Sequence, residues 1–277
     1  MRIKWYGTAS VLLEQDGTRL LFDPFIPLNE KCFAPSMDEL AAAPDILVTH
    51  GHLDHIVHIP DILKHGGGET TRKFRCAEPA LESAVETSAD SKTRRPCSSG
   101  SLVYCTAAPR ETLIGKGVAK ERIRLVKPGD VLALVPFDVR VLKGKHIAAD
   151  KRLIIKTLIN PRVLSNLRSA VYLAKENKIC AEAGETVVYE ISSPGKRVLM
   201  MGSLNLDEST EYPKGADLLI LPFQGRSDMS SYALPFIGRL LPKKVMLIHF
   251  DDTFPPISRA VKTDAFVSLT RRKYPDI

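Results

Sequence analysis

The stretch Asp45-Ile46-Leu47-Val48-Thr49-His50-Gly51-His52-Leu53-Asp54-His55 decides how the rest of the chain is read. Its opening residues are mostly apolar, so a buried strand ends at His50. Three imidazoles and a carboxylate crowd the positions that follow. Gly51 lets the backbone turn sharply, and alternate side chains can then point at one spot. Neutral imidazole and carboxylate are the usual ligands of zinc and similar divalent ions, and tight turns at strand ends hold them. An ordinary solvated loop is a poor account of so dense a pattern directly after an apolar strand.

Upstream, residues 2–6 and 10–14 read as strands, and Asp16-Gly17 is a hairpin signal leading into Arg19-Leu20-Leu21-Phe22. That third strand closes on Asp23-Pro24. Residues 37–43 suit a short helix, with Ser36 as N-cap and Glu39 completing a capping-box pattern. Downstream, residues 56–64 read as a helix interrupted by Pro60. His58 and His65 fall there, and lone histidines on such a segment are expected to face solvent. Gly66-Gly67-Gly68 lacks the Lys-Ser/Thr of a phosphate loop and reads as a turn.

A strand over 73–76, a helix over 80–86 and a surface loop over 87–100 come next. A strand over 102–106 and a helix over 109–116, opened by Pro109, lead to strands over 122–126, 131–135 and 137–142. The last of these delivers Lys143-Gly144-Lys145-His146, and a histidine just past a strand end is a second ligand candidate.

Residues 150–177 interrupt the β pattern. A shorter helix fits 153–158. Val163, Leu164, Leu167, Ala170, Val171 and Ala174 fall at helical spacing after Pro161. The alternating pattern returns at 186–191 and 197–202, paired across Ser193-Pro194-Gly195-Lys196. A buried strand over 217–221, a helix over 232–241 with Pro235 in its first turn or at a kink, a strand ending at His249 and a final helix over 263–273 complete the chain.

At 277 residues the chain is long enough for one large domain, and we take 1–277 as a single unit with the 150–177 helices as an insertion. The net charge of +7 permits anionic substrates. The basic runs, Arg94-Arg95, Lys243-Lys244 and Arg271-Arg272-Lys273, are short and carry no interleaved aromatics, which argues against dedicated nucleic-acid binding. Five cysteines, Cys32, Cys76, Cys97, Cys105 and Cys180, show no C-x-x-C spacing and read as reduced thiols of a cytoplasmic protein. No signal peptide pattern precedes the first strand, and no apolar run approaches the ~20 residues needed to span a membrane.

His50-Gly51-His52-Leu53-Asp54-His55 is the H-x-H-x-D-H signature, and on it the chain resembles the metallo-β-lactamase superfamily of hydrolases. The resemblance implies an α+β fold, a four-layer αββα sandwich with metals at one edge between the sheets. The segments 216–222 and 242–249, with Thr253-Phe254-Pro255, look most like the ascorbate-6-phosphate-lactonase-like branch. It covers roughly residues 1–145 and 185–257 and is weakest over 66–100 and the helical insertion.

Carried over by position, the resemblance puts His50, His52 and His146 on one metal and Asp54, His55 and His249 on a second. A water or hydroxide between them would be the nucleophile, oriented by Asp54, and the bond attacked would be an ester, a lactone or a phosphodiester. It casts Asp23 as a residue orienting a metal-binding loop. The cofactor implied is one or two divalent ions, zinc foremost, with manganese or iron also compatible.

One ligand departs from the pattern. The family expects a bridging aspartate after the strand over 197–202, and here Ser203 stands in its place. The site could hold one tight ion, Asp207 or Glu208 could reach back, or a bound anion could bridge; one tight and one weak or absent ion is the outcome we expect. Loss of turnover, leaving a metal- or ligand-binding protein of the same fold, is the competing reading, with a nuclease third. Arg226, Lys143 and Lys145 are each a surface residue or a contact to an anionic substrate. The partner expected is a small molecule rather than a membrane, and the insertion leaves a homo-oligomer open.

Overall fold

The computed structural model describes residues 1–43, 45–66, 100–148, 150, 153, 160–180 and 184–277. The strand over 73–76, the helix over 80–86 and the loop over 87–99 lie outside the described residues, as do residues 154–158 of the short helix expected at 153–158.

Among the described residues, apolar alternation builds two six-stranded sheets. The first holds β1 (Arg2–Trp5), β2 (Val11–Gln15), β3 (Thr18–Phe22), β4 (Asp45–Leu47), β5 (Leu102–Cys105) and β6 (Ile123–Leu125) in sequence order. β1, β2 and β3 form an antiparallel meander, while β3, β4, β5 and β6 run parallel. The second holds β7 (Val131–Leu134), β8 (Phe137–Lys143), β9 (Val187–Ser193), β10 (Lys196–Met201), β11 (Leu218–Pro222) and β12 (Val245–Ile248). It repeats the plan, with β7 to β10 antiparallel and β10, β11 and β12 parallel.

The strand period of two decides which face meets which layer. In β8, Phe137, Val139 and Val141 are buried while Asp138 and Arg140 are exposed. Val11, Leu13, Leu20 and Phe22 of the first sheet join Val139, Val141, Tyr189, Val198 and Ile220 of the second in one core between the sheets. The opposite face of the first sheet, with Leu12, Leu21, Ile46 and Val103, is covered by Leu40, Ile56, Ile62, Leu113 and Leu173 of five helices: Met37–Ala41, Leu53–Ile56, Ile59–Gly66, Ala107–Gly115 and Leu167–Ile179. The opposite face of the second sheet, with Val188, Leu199, Leu219 and Leu221, meets helices Met229–Leu240 and Asp264–Lys273. The layers are therefore helix, sheet, sheet, helix: an α+β sandwich. None of the described helices is long and apolar enough to cross a membrane.

Local signals set most boundaries. Ser36 Oγ accepts from the Glu39 amide at 3.1 Å, as an N-cap should. The reciprocal half of the capping box is absent, because the Glu39 carboxylate instead accepts from Lys4 Nζ at 2.5 Å and Tyr6 Oη at 2.9 Å. Pro60 lies in the first turn of the Ile59–Gly66 helix, where its missing N–H costs nothing.

Three expectations are corrected. The helix expected to begin at Tyr232 begins at Met229, because Met229, Ala233, Ile237 and Leu240 form one buried face. Pro235 therefore lies in its interior, on the exposed side, where water can satisfy the carbonyl that proline leaves free. In the insertion, the single helix expected after Pro161 is divided into two, Arg162–Ser165 and Leu167–Ile179, and its apolar stripe faces outward. Leu164 is 81 % exposed, Leu167 58 % and Val171 62 %. The longer helix is held instead by Leu173 and by a pair between Lys116 and the buried Glu176. His58 is not solvent-facing: its Nδ1 accepts from the Ile26 amide at 3.0 Å and its ring meets Phe25 edge-on. Burial pushes its pKa down to about 4. His65 is exposed, beside Asp38.

Candidate metal centre

The site assembles where strands end. β4 runs into Val48-Thr49-His50, β8 into Gly144-Lys145-His146, β10 into Gly202-Ser203 and β12 directly into His249. The turn after His50 starts the Leu53–Ile56 helix, which carries Asp54 and His55 on its first turn. Two backbone ties hold the strand ends together: the Val187 amide donates to Thr49 O at 2.9 Å and the His249 amide to Thr8 O at 2.8 Å. Tyr189 Oη adds a bond to Val48 O at 2.8 Å.

All six side chains singled out by sequence come together. Ligand atoms of His50, His52 and His146 lie within 4.8 Å of one another, as do those of Asp54, His55 and His249. His50 Nε2 and His52 Nδ1 are 3.2 Å apart. Two nitrogens bound to one tetrahedral zinc at 2.0–2.1 Å would sit roughly 3.3 Å apart, so this spacing suits a shared cation. In the second group, His249 Nε2 lies 2.9 Å and His55 Nε2 3.5 Å from Asp54 Oδ2.

The hydrogen bonds behind the ligands set the tautomers. Asp23, fully buried at a backbone φ of +44°, accepts from the Thr49 amide at 2.8 Å and from Thr49 Oγ1 at 2.7 Å. Its Oδ2 also lies 3.0 Å from His55 Nδ1. The Thr49 hydroxyl proton is thus given to Asp23, and its oxygen accepts from His50 Nδ1 at 3.1 Å. His146 Nδ1 donates to Ile147 O at 3.1 Å. Each of these three imidazoles spends its Nδ1 proton on the protein and keeps Nε2 as a free lone pair for the centre. His249 differs: its Nδ1 is buried with no hydrogen-bond partner among the described residues.

The electrostatics favour cation binding. Burial lowers the pKa of His50 well below the usual range and that of His52 to about 4, and it lowers that of His146 too. These imidazoles need lose no proton to accept a metal. At His55, burial lowers the pKa but the carboxylates of Asp23 and Asp54 outweigh it, and the net shift is upward. Burial acts to raise the Asp54 pKa, and the charges of His55 and His249 with the His249 hydrogen bond hold it well down as a carboxylate.

Ser203 is buried, and its Oγ accepts from the Ile147 amide at 3.0 Å. Neither proposed substitute for the missing carboxylate joins the centre. Asp207 is engaged by Lys143 Nζ at 3.1 Å and by the Ser209 amide at 3.0 Å, and Glu208 is exposed. Arg226 pairs with Asp228 at 2.7 Å and stacks on Tyr232. Lys143 is held by Asp207.

Sequence reasoning passed over Thr49, although it adjoins the first histidine, and Gly202. A Cβ on Gly202 would lie 1.8 Å from Thr49 Oγ1, so only glycine lets β10 end against that hydroxyl. Asn205, whose Nδ2 donates to His146 O at 3.2 Å, gave no signal at all.

A family profile described as a β-lactamase superfamily domain matches residues 2–249. A UPF0173 metal-dependent hydrolase of Methanopyrus kandleri is 41 % identical over 87 residues, 31 % of this chain and 36 % of that protein. One from Methylocella silvestris is 38 % identical over 74 residues, 27 % of this chain and 32 % of that protein. The matches thus span about a third of the length of these curated relatives. Among solved structures, Igni18, a metallo hydrolase of Ignicoccus hospitalis, superposes with a TM-score of 0.56 at 16 % identity, covering 98 % of this chain and 90 % of that one. At that identity the likeness speaks for the fold.

Proposed function

The chain belongs to the β-lactamase superfamily, and from that membership and the geometry above we propose that it is a metal-dependent hydrolase of an ester, lactone or phosphodiester bond. The observation that carries the reading is the convergence of five imidazoles and one carboxylate in two groups where strands of both sheets end, three of the imidazoles with Nδ1 already committed to the protein. A divalent ion held there, zinc foremost, supplies Lewis acidity: it acidifies water toward neutrality and stabilises the charge that develops on an attacked carbonyl or phosphoryl oxygen.

The chain's own residues have separable tasks. His50, His52 and His146 would hold one ion, and Asp54, His55 and His249 the other. Asp54 Oδ2, between His55 and His249, is the acceptor that would orient an attacking water. Asp23 and Thr49 hold the imidazole tautomers. The 216–222 and 242–249 segments support the ascorbate-6-phosphate-lactonase-like branch, and with it a lactone or ester substrate.

A second reading, a binding protein of this fold without turnover, is favoured by Ser203, since its hydroxyl cannot supply the missing carboxylate. Metal content per chain, followed by assay of the metal-loaded protein on p-nitrophenyl acetate, γ-butyrolactone and bis-p-nitrophenyl phosphate, separates the two. Turnover that disappears on chelation and returns with metal supports the hydrolase. Tight metal without turnover on any of the three supports the binding protein, and no tight metal in any preparation overturns both.

A further inference from the structure

The centre is short of negative charge. Among the described residues, two dications at its donors would meet a single carboxylate, Asp54, with Asp23 one bond further out behind His55. The neighbouring acids are all engaged. Asp207 is held by Lys143 and Ser209, Asp251 accepts from the Thr8 amide at 2.9 Å, and Asp252 pairs with Arg162 at 2.5 Å. Ser203 has its oxygen on the Ile147 amide, where it braces the segment that carries His146.

The two groups are also unequal. His50 and His146 in the first are each fixed at Nδ1 and His55 in the second is fixed by Asp23, so two imidazoles stand fixed against one; among the described residues His52 has only His50 within hydrogen-bond distance, and the buried Nδ1 of His249 has no partner. Orienting partners of this kind are worth about 10–100-fold in metal affinity, so the Asp54–His55–His249 group is the weaker of the two.

A buried pair of cations so poorly neutralised has a strong electrostatic demand for an anionic oxygen between them. The mouth of the centre is open to one, since His52, His146 and His249 are only partly buried while His50 and His55 lie behind them. Building on the hydrolase reading above, we propose that the substrate carries an oxyanion, a phosphate or a carboxylate, that itself completes the ligand set, so that the second ion binds tightly only together with that group.

Binding of anion and second ion is then reciprocally coupled: each strengthens the other by the same factor, and a ligand-to-ligand coupling of this kind is typically about 5–150-fold. The test is calorimetric titration of zinc into metal-free protein under free-zinc buffering, alone and with inorganic phosphate or acetate, with zinc per chain read by elemental analysis. One tight zinc per chain without anion is expected. A second should appear with an affinity at least about 5-fold higher when phosphate or acetate is present, and the anion that acts names the substrate's charged group. In Ser203→Asp, which places a carboxylate at the end of β10, the second zinc is expected without added anion and the anion effect shrinks.

Two equally tight ions without anion, or a second ion indifferent to both anions, overturns this inference and leaves the hydrolase reading standing. Absence of tight binding for zinc, manganese and iron alike overturns that reading instead. The titration of the natural protein decides the matter even if Ser203→Asp does not fold.

Discussion

Asp23→Asn is the substitution that most directly probes how the centre is held. Asp23 accepts three donors at full burial: the Thr49 amide at 2.8 Å, Thr49 Oγ1 at 2.7 Å and His55 Nδ1 at 3.0 Å. Asparagine matches its shape and tolerates the positive φ of +44° nearly as well, so the backbone has no reason to move. The amide oxygen can keep the Thr49 amide bond. The amide nitrogen, however, now faces His55 Nδ1, donor against donor. His55 relieves the clash by moving its proton to Nε2, the atom aimed at Asp54 and the centre. The lone pair needed for an ion is then gone.

Loss of such an orienting partner is worth about 10–100-fold in metal affinity, or roughly 1.4–2.7 kcal/mol, and it should fall on the Asp54–His55–His249 group alone. Competition titration of zinc against a chromophoric chelator measures the loss, and 15N-edited NMR of the imidazoles reads the tautomer directly. If the variant binds zinc as the natural protein does, with His55 still protonated at Nδ1, then Asp23 does not set the tautomer and the reasoning fails.

Three further outcomes follow from the structure. Partial burial lowers the pKa of His58 to about 4, so between that value and the unfolded value of about 6.5 the unfolded chain takes up a proton that the folded one refuses. This contribution to stability is present above pH 6.5 and is lost as pH falls toward 4. In His58→Asn, whose oxygen can still accept from the Ile26 amide, the fall in unfolding free energy from pH 7.5 to 5 should be smaller by about 2 kcal/mol in urea titrations; an equal fall in both proteins refutes the assignment. Gly202→Ala drives a methyl group to within 1.8 Å of Thr49 Oγ1, and a loss of about 3 kcal/mol or more in denaturant titrations is expected, with a loss under about 1 kcal/mol meaning that Thr49 can yield. Lys116→Met strands the buried Glu176 at a cost of about 3–5 kcal/mol by the same titrations, and the double variant with Glu176→Leu should regain most of it.

The candidate site was legible because its donor side chains stand at strand ends that are themselves strongly written. The apolar runs 45–49 and 245–248 each stop at a histidine, and an apolar run that ends on an imidazole needs no tertiary knowledge to be noticed. Ser203 was legible as an absence. What could not be read is what these residues do with their spare atoms. Thr49 looks like a strand residue until Asp23 and His50 are seen on either side of its hydroxyl, and Asn205 reaches His146 from 59 positions away. The insertion was legible only in part for a related reason. Its apolar spacing marks a helix correctly, but which face is buried depends on where Leu173 and the Lys116–Glu176 pair anchor it, and both anchors are long-range. His58 misled because burial is decided by the chain folding over it, here Phe25 and Ile26.

The donors do not come from one part of the chain. Four follow β4 in the first sheet's half, while His146 and His249 follow β8 and β12 in the second. An ion shared between them would be a clasp across a span of roughly 200 residues, a loop whose closure the unfolded chain meets with an entropic penalty. During synthesis His50, His52, Asp54 and His55 emerge early, and His249 arrives only with the last strand. The full donor set is therefore available only once His249 has been made, and a chain that held its full complement of metal would already have brought its two sheets face to face.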